Sequence, residues 1–270
     1  YQKSFNKNDN ERYNEYKKSL QDGTAKVNAG AVYPYDIVKS MSMGGDNIVS
    51  EKQWESLPNW MEGSVERILP VVDVSGSMGV EVGGNPNLSC MDVAVSLGMY
   101  ISERNEGSFK DAFITFSNNP QLQYLTGSLS ERLLQLRRAH WGMSTDLEAV
   151  FNLILHQAKM NNVPEGNMPT KILILSDMQF NQATRRDSLG AQSMIEAMYE
   201  EAGYTKPNII YWNLNAKGGN FPVEFDKNGT ALVSGFSPSI LKSFLGGKNM
   251  TPESIMVDTV NDDRYSVVTV

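Results

Sequence analysis

Short apolar runs alternate with longer amphipathic stretches from residue 68 onward. The runs have the length and composition of buried strands and lie at 68–72, 112–116, 172–175, 209–212 and, more weakly, 231–233. Between them, apolar positions at helical spacing predict helices near 90–104, 128–137, 145–160 and 187–203. Strands that alternate with helices are typical of a parallel sheet covered by helices on both faces. We therefore predict an α/β fold.

A further short run at 121–125 follows a turn at Asn118-Asn119-Pro120. A turn of this kind joins neighbouring strands that run in opposite directions, whereas parallel strands need a longer crossover. We therefore expect one antiparallel edge strand beside a central, mostly parallel sheet.

Residues 1–67 show a different pattern, polar with sparse aromatic anchors. Apolar side chains at helical spacing, and a proline suited to a first helical turn, indicate three short helices; these positions are Tyr13, Tyr16, Leu20, Pro34, Trp54, Leu57, Trp60 and Met61. We expect this helical N-terminal extension to pack its aromatic side chains on the domain that follows. The predicted division is an extension at 1–67, a domain at 68–250 and a tail at 251–270 that packs on the domain.

Composition restricts the chemistry of any site. The 270 residues include 40% hydrophobic residues, one cysteine and two histidines, and the net charge is −7. A sizeable core is feasible, whereas a Cys/His zinc site is excluded and any metal must bind oxygen. The acidic balance argues against a large nucleic-acid footprint. A lone Cys90 and the lack of an apolar run of about 20 residues lead us to expect a cytoplasmic protein without membrane contact.

Two of the predicted strands end in an aspartate. Asp73 follows the run at 68–72, and Asp177 follows the run at 172–175 after one serine. In an open α/β sheet, ligands bind beyond the carboxyl ends of the strands, so two aspartates at this edge are placed to share one site. A single aspartate there often only caps a turn, but a pair favours a shared site.

The loop after Asp73 places small oxygen-bearing side chains at alternate positions, Asp73, Ser75 and Ser77, and glycines make it tight. Carboxylate and hydroxyl oxygens at this density suit a hard divalent ion, Mg²⁺ or Mn²⁺, with waters completing an octahedron. A serine-rich turn without a metal is the alternative. The serines stand where a calcium loop would need carboxylates or amides.

The pattern Asp73-x-Ser75-x-Ser77 directly after a strand resembles the metal-ion-dependent adhesion site (MIDAS) of von Willebrand factor A (vWA) domains. This family completes its site with a threonine and an aspartate from two later loops, which Thr145 in 141–147 and Asp177 in 175–179 resemble. The resemblance covers about 68–245 and implies a Rossmann-like vWA fold. It also implies that the two serines and Thr145 bind the ion directly, and the two aspartates directly or through water.

A narrower similarity involves the run 73–78 and a following helix that contains Val95-Ser96-Leu97-Gly98. It resembles intracellular vWA proteins, such as the Ro autoantigen and an uncharacterised plant, fungal and viral family that joins a helical region to a vWA domain. Since the sequence begins with Tyr1 and not with Met, we expect residues 1–67 to be the end of a longer helical module. Any nucleic-acid binding would then belong to the missing part.

The resemblance implies a metal-dependent protein-binding module and not an enzyme. Few ligand charges would neutralise the ion, which would stay electrophilic toward an Asp or Glu carboxylate of a protein partner. Two other classes stay open. One is a Mg²⁺-dependent hydrolase or phosphoryl-transfer enzyme that uses the same aspartates, although the phosphate-loop and serine-hydrolase patterns are absent from the sequence. The other is a structural subunit of a ribonucleoprotein, which would need a basic surface.

Residues near the predicted edge allow two interpretations each. His140 could reach the site, and Arg185 and Arg186 could attract an acidic partner. His140 is more simply explained as an ordinary loop or packing histidine, and the two arginines are explained at least as well as solvated charges at a helix start. His156 and Cys90 are more simply explained as a structural helix residue and a small buried thiol.

Overall fold

The computed structural model describes residues 2–116, 119–138, 146–178, 188–215 and 229–235, together with 240–241, 256–257 and 260–261. The helices of these segments are α1 (Gln2–Asn8), α2 (Asn10–Gln21), α3 (Pro34–Ser42), α4 (Asn47–Glu55), α5 (Cys90–Arg104), α6 (Leu129–Arg138), α7 (Leu147–Met160) and α8 (Ser188–Ala202). The strands are β1 (Ile68–Asp73), β2 (Glu81–Val82), β3 (Asn85–Ser89), β4 (Ala112–Phe116), β5 (Gln121–Tyr124), β6 (Lys171–Ser176), β7 (Asn208–Asn213) and β8 (Thr230–Ser234). No helix in the described segments is long and apolar enough to cross a membrane.

Six strands form one central sheet in the order β5, β4, β1, β6, β7, β8. Neighbouring strands from β4 to β8 are parallel, and β5 pairs antiparallel with β4 at the edge. The prediction of an α/β fold with a mostly parallel sheet and one antiparallel edge strand is therefore confirmed. The chain leaves β1 toward β4 on one side and later returns to β6 on the other side. A topological switch point thus lies between β1 and β6.

Helices cover both faces of the sheet. Side chains alternate along β1, so that Val72 packs with the α5 side while Val71 packs with the α7 and α8 side. Helix α5 lies very close to the sheet at Gly98, where an added Cβ would be 2.6 Å from Val72 Cγ2. All six residues of β1 are buried, as are those of β6. The central strands are therefore enclosed on both faces.

The N-terminal extension packs on α5 and α6. The Tyr100 hydroxyl on α5 donates a hydrogen bond to Pro58 O (2.6 Å) and accepts one from Trp60 N (2.8 Å). The carboxylate of Glu51 accepts hydrogen bonds of 2.9 Å from Leu129 N and from the next amide, and thereby caps α6. Trp54 and Trp60 of the extension pack against Tyr100, as expected, whereas Tyr13 and Leu20 pack in a separate cluster within the extension.

The described part of the extension has four helices where three were expected. The apolar stripe at 54–61 is not one helix, because α4 ends at Glu55 and Pro58 disfavours helical geometry in the residue before it. Leu57 and Met61 are nevertheless buried in the core. The predicted tail at 251–270 falls mainly outside the described residues.

A short hairpin between β1 and α5 was not expected. Strands β2 and β3 pair antiparallel around Gly83 and Gly84, whose φ angles are +61° and +72°. Two successive positive φ angles match the two-residue turn that suits the twist of a hairpin. The hairpin is anchored by Val82 and Leu88 in the core. It connects the loop after β1 to the first turn of α5.

Candidate metal site at the carboxyl edge of the sheet

The switch point places two aspartates side by side. Asp73 is the last residue of β1, and Asp177 directly follows β6. The two strands are adjacent and parallel, with Val72 opposite Leu175. Asp73 is 0% exposed and Asp177 is 4% exposed. The structure thus brings both predicted strand-end aspartates to one buried edge.

The carboxylate of Asp73 is held through both of its oxygens. Oδ1 accepts a hydrogen bond from Ser75 N (2.9 Å), and Oδ2 accepts one from Ser176 Oγ (2.6 Å). Burial raises the pKa of Asp73, these hydrogen bonds lower it, and the charge of Asp177 raises it further, so that the pKa is raised on balance. Two buried carboxylates therefore repel one another here. A bound cation would relieve this cost.

The hydroxyls of Ser75 and Ser77 lie on the same side of the loop after β1. Their Oγ atoms are 2.9 Å apart, and a short 3-10 turn over Gly76–Gly79 follows Ser75. Ser75 is buried, whereas Ser77 is partly exposed. The pair of hydroxyl oxygens therefore extends from the buried carboxylates toward the surface.

The turn after β6 is constrained at its backbone. Met178 has a φ angle of +62°, which is uncommon for a residue other than glycine. Its amide donates a hydrogen bond of 3.0 Å to Ser176 Oγ, and its side chain is buried. The amide of Asp177 donates to Met78 Sδ at 3.1 Å. These contacts fix the direction in which the chain leaves the strand.

Cys90, the first residue of α5, lies near both carboxylates. Burial raises the pKa of its thiol to about 11, and the charges of Asp177 and Asp73 add to the shift. The thiol is therefore neutral near pH 7, with Sγ 3.7 Å from Leu214 O. The interpretation of Cys90 as a small buried thiol agrees with this environment.

Four of the five predicted ligands are described, and Thr145 lies outside the described residues. The helix expected after Thr145 is present as α7, whose first turn is capped by Asp146 Oδ1 accepting from Ala149 N at 3.1 Å. His140, Arg185 and Arg186 also fall outside the described part of the chain. His156 lies on α7 and is exposed.

The described ligands fit a hard divalent ion. They comprise two carboxylates and two hydroxyls, which are oxygen donors of the kind that Mg²⁺ and Mn²⁺ prefer. The described segments contain no group of three or more His, Cys, Asp or Glu side chains arranged to hold a metal. An ion at this edge would therefore depend on the serine hydroxyls as well as on Asp73 and Asp177.

Two residues of this edge were missed by the sequence reasoning. Ser176 contacts Asp73, and Met78 contacts Asp177, but neither residue was considered as part of the site. The sequence offered one clue, which is that each of them is next to a predicted ligand: Ser176 precedes Asp177 and Met78 follows Ser77. Serine and methionine at such positions are too common to indicate a role from sequence alone.

Comparison with known proteins gives the family. Residues 67–268 match the family described as a domain of unknown function, DUF7788, and the chain belongs to this family. The chain is also 33% identical over 253 residues to an uncharacterized protein of Acanthamoeba polyphaga mimivirus. That match covers 91% of this chain and 42% of the viral protein.

Comparison with solved structures gives one protein that shares the fold and one weaker similarity. The Deinococcus radiodurans Ro (RSR) protein has a TM-score of 0.50 and 18% identity, over 93% of this chain and 48% of that one. An aerotolerance-related membrane protein from Bacteroides fragilis has a TM-score of 0.40 and 12% identity, over 71% of this chain and 99% of that one. Together with the strand order, the likeness to the Ro protein supports a Rossmann-like fold of the vWA type. The chain spans less than half the length of the viral and Ro proteins.

Proposed function

We propose that this chain is a metal-dependent protein-binding module. A divalent cation, Mg²⁺ or Mn²⁺, would be held at the carboxyl edge of the sheet and would accept an Asp or Glu carboxylate from a protein partner. The observation that carries the proposal is the meeting of two buried carboxylates at the switch point, beside paired serine hydroxyls. The proposed ligands are Asp73, Ser75, Ser77, Thr145 and Asp177.

The proposed metal ligands favour the binding of a partner carboxylate. Ser75 and Ser77 contribute neutral oxygens, so the ligand charge comes from the two aspartates. The ion, when bound, supplies a positive centre that attracts a further carboxylate. Asp73 is fixed by hydrogen bonds to both of its oxygens, so it is already oriented. Partly exposed Ser77 marks the side from which a partner carboxylate would approach.

We propose binding rather than catalysis. The nearby charge that acts on Asp73 is that of a second carboxylate, and the thiol of Cys90 is kept neutral by its raised pKa. A neutral thiol is not an activated nucleophile, and two aspartates that share a buried edge are suited to holding a cation. Assays with p-nitrophenyl phosphate, single-stranded RNA and ATP, with and without Mg²⁺, test this point. Turnover that Asp177→Ala abolishes would overturn the proposal.

The binding role would belong to the vWA unit at 68–250, with 1–67 as a helical extension and 251–270 as a tail packed on the unit. We propose a cytoplasmic protein that contacts neither membrane nor nucleic acid through this chain. The net charge of −7 supports the absence of nucleic-acid binding. Nucleic-acid binding, or membership of a ribonucleoprotein, would require a helical module beyond these residues. The activity of the whole protein is likewise a proposal.

Metal binding is tested by isothermal titration of MgCl₂ into the wild type, Asp177→Ala and Asp9→Asn. Asp9 caps α2 in the extension by accepting from Arg12 N (3.2 Å), and asparagine caps a helix equally well. Asp9→Asn therefore removes one negative charge far from the site. We expect Asp177→Ala to weaken Mg²⁺ affinity by more than about 100-fold, above the usual effect of an outer-shell change, and Asp9→Asn to leave it unchanged. Equal affinities would contradict the proposal.

The carboxylate partner is tested with a random peptide library displayed on phage. Selection in Mg²⁺ followed by elution with EDTA recovers peptides whose binding depends on the ion. We expect these peptides to be enriched in Asp and Glu with the wild type as bait, and no such enrichment with Asp177→Ala. A recovered population without acidic enrichment would contradict carboxylate capture even if Mg²⁺ binds.

A further inference from the structure

Ser176 connects the two halves of the candidate site. It is the last residue of β6 and is 0% exposed. Its hydroxyl donates to Asp73 Oδ2 at 2.6 Å and accepts from Met178 N at 3.0 Å. A serine hydroxyl has one proton to donate and lone pairs to accept with, so one atom serves the end of β1 and the turn after β6 together.

This bond network encloses Asp177. Asp177 lies between Ser176, whose hydroxyl reaches Asp73, and Met178, whose amide returns to that same hydroxyl. Met178 adopts a φ angle of +62°, which is unfavourable for residues other than glycine. The turn is therefore held by contacts and not by the preference of its own residues. The hydroxyl of Ser176 is the contact that the turn shares with Asp73.

We propose that Ser176 is a positioning residue of the metal site, which fixes the separation of the Asp73 and Asp177 carboxylates by bonding to Asp73 and to the Met178 amide. The inference rests on the proposed function, because positioning has meaning only if the two aspartates serve one ion. Residues that orient metal ligands affect affinity about 10- to 100-fold when changed. Ser176 would contact the ligand Asp73 and not the ion.

The test uses three variants in the full chain. Ser176→Ala removes the hydroxyl, and Ser176→Thr keeps it. Ser102→Ala is the matched control, since Ser102 is equally buried and its hydroxyl donates to Met99 O (3.0 Å) near the end of α5, away from Asp73. We expect Ser176→Ala to weaken Mg²⁺ affinity about 10- to 100-fold by titration calorimetry. Ser176→Thr should stay within about threefold of the wild type and Ser102→Ala should match it.

Amide hydrogen exchange in EDTA gives a readout that needs no ion. The Met178 amide is protected in part by its bond to Ser176 Oγ, so its exchange should become at least about tenfold faster in Ser176→Ala. The same amide should exchange at the wild-type rate in Ser102→Ala. An unchanged Met178 rate in Ser176→Ala would overturn the bonding scheme itself, whatever the affinity.

The outcomes separate this inference from the proposed function. A wild type that binds no Mg²⁺ overturns both. A wild type whose binding is lost in Asp177→Ala but kept in full by Ser176→Ala retains the proposed function and overturns the positioning role. Faster Met178 exchange without any loss of Mg²⁺ affinity would mean that Ser176 supports the turn but does not position the ligands, and this result would also overturn the inference. Loss of affinity together with faster exchange supports it.

Discussion

The backbone amide of Asp177 donates a hydrogen bond to the thioether sulfur of Met78 at 3.1 Å. Met78 belongs to the loop after β1 and is completely buried, whereas Asp177 begins the turn after β6. Two of the three loops that carry the proposed ligands are therefore joined by this bond as well as by Ser176. The geometry of one loop depends on the other.

Met78→Leu tests this connection. Leucine has a similar volume but cannot accept a hydrogen bond, so we expect a stability loss below about 1.5 kcal/mol. Loss of the bond between Met78 and the Asp177 amide should loosen the second loop and weaken Mg²⁺ affinity about tenfold. Met99→Leu, in the buried core of α5, is the control with the same change of side chain. Equal Mg²⁺ affinities for the two variants would show that Met78 only fills space.

The raised pKa of Asp73 predicts how stability depends on pH in the absence of divalent ions. Burial, with the charge of Asp177, makes the folded state hold this proton more tightly than the unfolded state. The contribution to stability is complete below the ordinary carboxyl pKa of about 4 and is lost as pH rises through the folded value. Asp73→Asn should therefore be more stable than the wild type at pH 7, and the difference should shrink toward pH 4.

Urea unfolding in EDTA at pH 7 and pH 4 measures this difference. Other carboxyls also make stability depend on pH, such as Glu66 and Asp92, whose pKa values are lowered by hydrogen bonds and by lysine partners. Their contributions cancel when the variant is compared with the wild type. In Mg²⁺ at about 100 times its Kd, the wild type should gain about 2.7 kcal/mol and Asp73→Asn far less. A difference independent of pH would contradict the role assigned to the buried charge.

The hydrogen bonds of the Tyr100 hydroxyl to the N-terminal extension should contribute to the stability of the chain. Burial raises the pKa of Tyr100 to about 12, so its neutral hydroxyl bonds to Pro58 O and Trp60 N. Tyr100→Phe leaves both backbone groups without this partner and should destabilise by about 1–3 kcal/mol. Tyr124→Phe is the control, because Tyr124 is half exposed and its hydroxyl is 3.4 Å from Ser108 O. Similar urea midpoints for both variants would contradict this attachment.

The close approach of α5 to the sheet at Gly98 predicts that a larger side chain at this position lowers the stability of the fold. A Cβ at Gly98 would be 2.6 Å from Val72 Cγ2 and 2.7 Å from Phe113 Cε2. Gly98→Ala should therefore destabilise by about 1–3 kcal/mol through overpacking, even though alanine favours a helix by about 1 kcal/mol. At Gly166 a Cβ would meet nothing within 4 Å, so Gly166→Ala should stay within about 0.5 kcal/mol. Thermal unfolding distinguishes the two, and a neutral Gly98→Ala would contradict the close packing.

The sheet could be predicted from sequence because its strands are buried on both faces. The strand Lys171–Ser176, for example, contains the continuous apolar run 172–175, which marks its position in the sequence. The hairpin of β2 and β3 lacks this signal, since β3 has one buried residue, Leu88. The Gly83-Gly84 pair was the available cue for a two-residue turn. The apolar stripe from Trp54 to Met61 extends beyond the end of α4, because Leu57 and Met61 are buried by tertiary packing outside the helix.

The candidate site could be predicted as far as its ligand types and the pairing of its two aspartates. Asp73, Ser75 and Ser77 are close in sequence and their spacing indicates oxygen chemistry. The pairing with Asp177 followed from the rule that parallel strands share a carboxyl edge. The supporting contacts of Ser176 and Met78 depend on the register of β1 against β6 and on the turn at Met178. Such details arise from packing across about 100 residues and leave no local pattern.

The most direct test of the metal site is anomalous diffraction from crystals grown with MnCl₂. We predict an anomalous peak among the oxygens of Asp73, Ser75, Ser77 and Asp177, which is absent from crystals of Asp177→Ala grown in the same way. Mn²⁺ is suited to the measurement because it shares the oxygen preference of Mg²⁺. Well-ordered wild-type crystals with no peak at this edge, or with the peak elsewhere, would contradict the account.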